Sequence, residues 1–329
     1  VSGEIFVDWL TAVEHHPGGG LPIIVGGLTV WHDRYGHPVC ERASPTTVAG
    51  SFDSAIRVGC DGSRVFLSGN VGRFARADNL FNFGWAGTVR AANRVLLGIG
   101  LPPFSSVDGL SPEGFRLGAR LRRVDLTANF CTGSEAQARA LIRWLAAQSV
   151  ARMKRGQAGE ESVWWANTRS MFKAYMKGPE MVKHGRSPDE FAVKWCGENG
   201  VVRVEVELKR RLLKDLGLDH FAVIDDATLT RLFEERTNVL RRVDRSDEPD
   251  VLAAIPCRSR PYAAAWLAGK DMRLMACERT LFRHARVLRQ YGLDILQPRN
   301  VEAFPVRVRV IDLVPVGVPD WYVEQLESA

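Results

Sequence analysis

Residues Ser162–Pro179 read SVWWANTRSMFKAYMKGP. Two short aromatic and β-branched runs, Ser162–Ala166 and Ser170–Lys177, flank the turn-like Asn167-Thr168-Arg169, a pattern that predicts a β-hairpin. On its second strand Phe172, Ala174 and Met176 alternate with Met171, Lys173, Tyr175 and Lys177, so parity puts Lys173, Tyr175 and Lys177 on one face. A phenol between two ammonium groups should ionise more readily, because nearby positive charge favours the phenolate. Tyr175 is therefore a candidate nucleophile, with Lys173 and Lys177 beside it. On this window alone the plainer reading is a half-exposed structural tyrosine next to two solvated lysines.

Working outward, two further segments alternate in the same way. In Leu121–Ala128 the alternation predicts Leu121, Arg123, Asp125 and Thr127 on one face, with Arg122, Val124, Leu126 and Ala128 on the other. An acid in mid-strand needs either Arg123 or a cation to neutralise it, and both readings stay open here. In Val201–Leu208 the valines and Leu208 face one way while Arg203, Glu205 and Glu207 face the other. Between these segments and the hairpin, Ser134–Met153 has Ser134 as a helix N-cap and an apolar stripe of Ala138, Leu141, Ile142 and Leu145, which predicts a helix laid over a sheet. Glu4–Val13 and Leu21–Trp31 read as strands about a Gly-rich turn. Asn70–Phe83 has helical spacing with Arg73 and Arg76 on one side, where they could grip phosphate.

Arg242–Pro249 is polar, charged and closed by proline, which marks a linker between residues 1–242 and 249–329. In the second unit, Pro261–Ala268 and Met275–Gln290 read as helices about a break at Gly269–Asp271, the layout of a helix-turn-helix. Arg279, Arg283, Arg286 and Arg289 form one basic stripe along the second helix, suited to a DNA groove, and Val306–Val310 alternates like the wing of a winged helix. A small packing domain with a solvated Arg face is the plainer alternative.

The 329-residue chain has 46% hydrophobic and 25% charged residues, ordinary for a globular protein, with a net charge of +6 that suits a polyanionic partner. Six scattered cysteines without a CxxC pair indicate neither a zinc cage nor a compact disulfide framework. No apolar run reaches the roughly 20 residues that span a bilayer, and Val1–Leu10 lacks a basic leader, so a soluble, unexported protein is expected.

Taken together, RRVD at Arg122–Asp125, FKAYMK at Phe172–Lys177 and RVEVELK at Arg203–Lys209 resemble the replication initiators of filamentous phages, the gene II or II/X family. PDWY at Pro319–Tyr322 adds to the likeness. The resemblance runs through most of the chain. It implies a protein that nicks one strand of the double-stranded replicative form at the phage origin through a covalent link to tyrosine, here Tyr175 with Lys177 beside it, leaving a 3′-OH primer and later resealing the displaced strand. The three-part pattern R-x-D, Y-x-K, R-x-E is also similar to that of certain plasmid rolling-circle initiators, in which acids on neighbouring strands hold a metal. That similarity implies Asp125 and Glu205 as ligands of Mg²⁺ (or Mn²⁺), with Arg123 and Arg203 orienting the carboxylates or the DNA strand. The chain departs from many rolling-circle nickases in having no His-hydrophobe-His triplet, and it has Asp78 where phage relatives tend to have His.

The expected architecture is α+β: an antiparallel-rich sheet nickase domain covered by helices, with a smaller helix-turn-helix or winged-helix-like C-terminal domain that binds DNA. The implied partners are double-stranded origin DNA, single-stranded viral DNA, a host helicase and replication machinery, and a second copy on the origin. No membrane is involved, and the setting is the host bacterial cytoplasm. The rivals are a non-catalytic DNA-binding replication or transcription regulator, and a metal-dependent nuclease that activates water with Tyr175 a bystander.

Overall fold

The computed structural model describes residues 5–112, 114, 116–148, 150, 152–241, 252, 255–268, 270–291, 293, 295–296 and 315–327. The linker 242–249 and the expected wing Val306–Val310 lie outside them. Strands β1 (Phe6–His15), β2 (Ile23–Ile24), β3 (Gly27–His32), β4 (Pro38–Ser44), β5 (Thr46–Ala49), β6 (Ala55–Asp61) and β7 (Arg64–Gly69) come first, followed by helix α1 (Trp85–Gly98). Then follow β8 (Arg120–Cys131), α2 (Glu135–Ala147), β9 (Lys154–Ala158), β10 (Ser162–Ala166), β11 (Ser170–Met176), α3 (Lys177–Lys183), α4 (Phe191–Glu198) and β12 (Val201–Lys209). The chain continues with α5 (Arg210–Asp215), α6 (Asp226–Arg241), α7 (Arg260–Leu267), α8 (Glu278–Leu288) and α9 (Asp320–Glu327).

The fold is α+β around one large antiparallel sheet, in the order β2-β6-β7-β1-β8-β12-β11-β10-β9, with β5 also paired to β6. The expected hairpin is present as β10 and β11, joined at Asn167, whose side chain accepts from the Arg169 and Ser170 amides at 2.8 and 2.9 Å. Strands β3 and β4 form a separate two-stranded ribbon. One face of the sheet is apolar. Leu10, Ala12, Leu121, Val124, Leu126, Ala128, Phe172, Ala174, Val204 and Val206 pack there against α1, α2, α5 and α6. Ser134 caps α2 as expected, accepting from the Gln137 amide at 3.3 Å, although the helix ends at Ala147 and not at Met153.

A second cluster lies at one end of the opposite face. Phe6, Leu80, Phe81, Met181, Val193, Cys196 and Val201 enclose Tyr322 of α9, and Val316 N donates to Asn129 O at 2.8 Å. The expected unit of 249–329 is thus corrected at its far end, because 315–327 packs on the sheet. The smaller unit, α7 and α8 around Trp266, Leu281, Ala285 and Leu288, has its own core. A short 3-10 turn, Met272–Leu274, joins its helices, and the second begins at Glu278, three residues after the expected Met275. All six cysteines are free, and among the described residues no helix is long and apolar enough to cross a membrane.

Candidate active site

The polar face of the sheet is laid out by register. Asp125 lies opposite Glu207, Thr127 opposite Glu205 and Asn129 opposite Arg203, while Lys173 and Tyr175 on β11 lie opposite Glu205 and Arg203. Two β-bulges alter this layout. One, on β1, inserts Asp8 between the pairs Val7–Leu126 and Trp9–Asp125; the other, on β8, inserts Arg122 between Arg123–Thr11 and Leu121–Ala12. Each bulge reverses the alternation, so Leu121 joins Val124 and Leu126 in the core although its parity differs from theirs. This corrects the expectation that Leu121 shares a face with Arg123 and that Arg122 shares one with Val124.

Tyr175 is 4% exposed, and its hydroxyl donates to Glu205 Oε1 at 2.5 Å. The Lys173 ammonium sits 4.0 Å from the centre of the Tyr175 ring and 3.9 Å from Glu205 Oε2. Burial first, and then the Glu205 carboxylate, push the phenol well above its ordinary pKa, outweighing the Arg203 charge. The expectation of a phenol acidified by flanking lysines is therefore corrected: the side chain is a neutral donor to a carboxylate. Glu205 is itself raised, by burial and then by the Asp8 charge.

Lys177 does not flank the phenol. It opens α3, is 1% exposed, and donates to Asn79 Oδ1 at 3.0 Å and Glu180 Oε2 at 2.7 Å. Arg203 is wholly buried and donates to Asn129 Oδ1 at 3.0 Å and to the carbonyls of Asn79 and Leu80 at 2.7 and 2.6 Å. This corrects its expected role on DNA: it pins a loop onto the sheet. Arg123 grips Asp125 with two hydrogen bonds of 2.8 and 2.6 Å and lies over the Trp9 ring at 5.1 Å. Asp125 is nevertheless pushed up to about 7, chiefly by burial.

Asn70–Phe83 is a series of turns and not a helix, with Asn70, Asn79 and Asn82 converging on Asp8 at 2.7, 3.0 and 3.4 Å. Gly72 makes room for this, since a Cβ there would stand 1.5 Å from Asn82 Oδ1. Arg76 donates to Phe81 O at 2.5 Å and lies over the Phe83 ring, so the expectation that it grips phosphate is corrected. Arg73 is half-buried in the same turns. Asp78 accepts from the Tyr322 hydroxyl at 2.6 Å and from the Leu80 amide at 2.9 Å.

The donors on this face suit a hard cation. Glu205, Asp8 and Asp125 are carboxylates, and on the same face the Thr127 hydroxyl is buried without a hydrogen-bond partner among the described residues. Among the described residues they do not close into a cage of three acidic or His/Cys ligands.

Residues 39–227 match the N-terminal family of the gene II replication-associated protein, and residues 257–327 match the corresponding C-terminal family. The chain belongs to the gene II replication-associated protein family. Asp125, Tyr175 and Glu205 all fall within the N-terminal gene II match, and the C-terminal match takes in α7, α8 and α9. The chain is 26% identical to the gene II replication-associated protein of Escherichia phage If1, over 82% of this chain and 97% of that protein. It is also 26% identical to that of Enterobacteria phage I2-2, over 96% of each. A solved structure described as the rolling circle replication initiator protein from Geobacillus stearothermophilus aligns with a TM-score of 0.27 at 12% identity, covering 65% of this chain and 78% of that one. That likeness is too distant to establish a shared fold.

In this member of the gene II family, sequence reasoning missed Asp8, Asn79, Asn82 and Thr127. The signal for Asp8 was an acid in an apolar strand; the asparagines gave none beyond their clustering. In the smaller unit Arg279, Arg283, Arg286 and Arg289 are all exposed, so the stripe exists as a surface.

Proposed function

We propose that the chain initiates rolling-circle replication by nicking one strand of the replicative form at the phage origin, forming a covalent phosphotyrosine at Tyr175. The observation that carries this reading is the Tyr175 hydroxyl 2.5 Å from Glu205, on the polar face of the sheet, in a family described as replication-associated. The Tyr175 oxygen attacks phosphorus, its proton passes to Glu205, and the bond from phosphorus to the 3′-oxygen breaks. The leaving oxygen takes a proton from water and becomes the 3′-OH primer. A raised Glu205 pKa improves the match between base and phenol, and Lys173 steadies the charge on the ring oxygen. The link conserves the energy of the broken bond, so attack by a 3′-OH later reseals the displaced strand.

Glu205 and Asp125 would hold Mg²⁺ or Mn²⁺, with Asp8 and Thr127 on the same face; when bound, such an ion offsets charge developing on the scissile phosphate. The α7–α8 unit, through Arg279, Arg283 and Arg286, would bind double-stranded origin DNA before the viral strand is opened, with host helicase and replication machinery following in the bacterial cytoplasm. Tyr322 spends its hydroxyl on Asp78, Tyr35 lies in the β3–β4 ribbon, and Tyr262 and Tyr291 belong to the smaller unit. None stands beside Tyr175, so a second nucleophile at termination would come from a second copy on the origin.

The test is incubation with supercoiled origin DNA and Mg²⁺, followed by denaturation and mapping of any adducted peptide. An adduct on Tyr175 is expected. One observation favours the water-activating nuclease instead, the burial that keeps the phenol protonated, and cleavage without adduct would establish that reading.

A further inference from the structure

On the polar face, at the end away from α9, four arginines converge. Arg122 sits in the β8 bulge, Arg120 two residues earlier on the same strand, Arg64 at the start of β7, and Arg210 at the start of α5 where β12 ends opposite Arg123. Two of the four are neutralised: Arg120 by Asp219, and Arg64 by Asp61 at 2.8 Å. Arg122 and Arg210 have no side-chain hydrogen bond or ion pair among the described residues, and neither is fully buried. With Asp219 and Asp61 set against the four arginines, the patch keeps a net positive charge. Their proximity is felt: after partial burial, the charges of Arg210, Arg120 and Arg64 press the Arg122 pKa down, against the smaller opposing pull of Asp219.

A chain gains nothing in stability from crowding like charges at a bulge, where the extra residue re-aims a side chain without a core role. Such an arrangement gains a partner when a polyanion lies across it. Two half-buried aromatic side chains, Phe66 and Trp164, share this face with Trp9, whose ring already carries Arg123, and half-buried rings of this kind are suited to stacking on unpaired bases. From Arg122 to Thr127, beside Glu205, is five residues along β8, roughly 16 Å at the strand rise.

We infer that Arg122 and Arg210 form a phosphate-binding subsite that holds single-stranded DNA running across the sheet face toward Tyr175. The subsite deepens the proposed function and rests on it for the direction of the strand, but it is testable without cleavage. Binding of a fluorescent single strand of about 15 nucleotides is measured by anisotropy, without divalent metal, between about 50 and about 200 mM salt. Arg122→Gln/Arg210→Gln should bind on the order of tenfold more weakly at the low-salt end. It should also lower the slope of log affinity against log salt by about 1.4, the value for two phosphate contacts on a single strand. Arg122→Lys/Arg210→Lys should restore the slope, which separates lost charge from lost fold. Lys154→Gln, a charge removed from the exposed edge strand β9, should leave it unchanged.

An unaltered slope in the folded Gln variant overturns the subsite. So does a slope lost equally in the Lys variant, since charge would then not be the cause, and so does an effect on duplex but not on single strands. These outcomes are independent of the adduct assay. A slope change without any adduct leaves the subsite standing and removes the nicking mechanism, and an adduct with an unchanged slope does the reverse.

Discussion

At the scale of single residues, the site turns on buried oxygen atoms. Tyr175→Phe deletes the donor to Glu205 and should abolish adduct and nicking while leaving origin binding within about twofold. The stranded carboxylate should lower stability by about 1–2 kcal/mol in urea unfolding. An adduct that survives in this variant, mapped to another tyrosine, would remove Tyr175 from the mechanism. Thr127→Val tests the buried hydroxyl that has no hydrogen-bond partner among the described residues. Replacing it with an isosteric methyl should raise metal-free stability by about 1 kcal/mol and weaken Mg²⁺ binding measured by calorimetry. Unchanged metal affinity would take Thr127 out of the cation site. The shared face of Lys173 and Tyr175 was legible in the sequence because strand parity is a local property. The sense of the Tyr175 pKa shift was not, because it depends on what covers the ring and on a carboxylate 30 residues away. Lys177 was misplaced for a similar reason: β11 ends one residue before it, and α3 turns its ammonium toward Asn79.

At the scale of elements, alternation found the hairpin, β8 and β12, because each buries one face. It failed where a bulge reverses parity, at Arg122 on β8 and at Asp8 on β1, since a bulge leaves no mark in apolar periodicity. It failed again at Asn70–Phe83, where helical spacing of apolar residues comes from a loop whose apolar side chains enter two different clusters, Val71 with the sheet core and Phe81 with Tyr322. The α7–α8 pair offers a test by pH. His284, 7% exposed, stacks on Tyr262 at 4.1 Å and hydrogen-bonds Ser259 at 2.9 Å, while burial and Arg283 hold its pKa below the ordinary value. The folded unit then binds fewer protons than the unfolded chain, so its stability is fully present above about pH 6.5 and is lost as pH falls through the lowered value. Protection of α7 and α8 against hydrogen exchange, corrected for intrinsic rates, should drop between about pH 7.5 and about pH 5 in the wild type. It should stay level in His284→Gln, and equal losses in both would assign the effect elsewhere.

At the scale of the whole molecule, the α+β class was legible, whereas the return of 315–327 to the sheet was not. That return joins parts far apart in sequence and depends on a few aromatic side chains. Trp321 and Tyr322 of the PDWY motif pack against Trp195, Phe191 and Phe81, with ring centres 5.0–6.3 Å apart among these residues. Tyr322→Phe should lower stability by about 2 kcal/mol, the loss of a hydrogen bond to the buried Asp78 carboxylate, read as a shift in urea midpoint at unchanged slope. The exposed stripe on α8 belongs to the same scale. Gln at Arg279, Arg283 and Arg286 together should flatten the salt dependence of duplex origin binding by about 2.7 in slope, without touching the single-strand slope. No change would return the stripe to a solvated helix face.

The bond from Tyr322 to Asp78 spans 244 positions of sequence. The turns that present Asn79 to Asp8 and Lys177 are made early in synthesis, yet the side chain that closes over them leaves the ribosome long afterwards. Contacts of such long range form late, after the entropy of the intervening loop has been overcome. A nascent chain with β11 and β12 already paired would hold its tyrosine and its base in register but carry an open Asn79 turn. This end of the polar face is therefore completed only when the late helix comes back to the first strand.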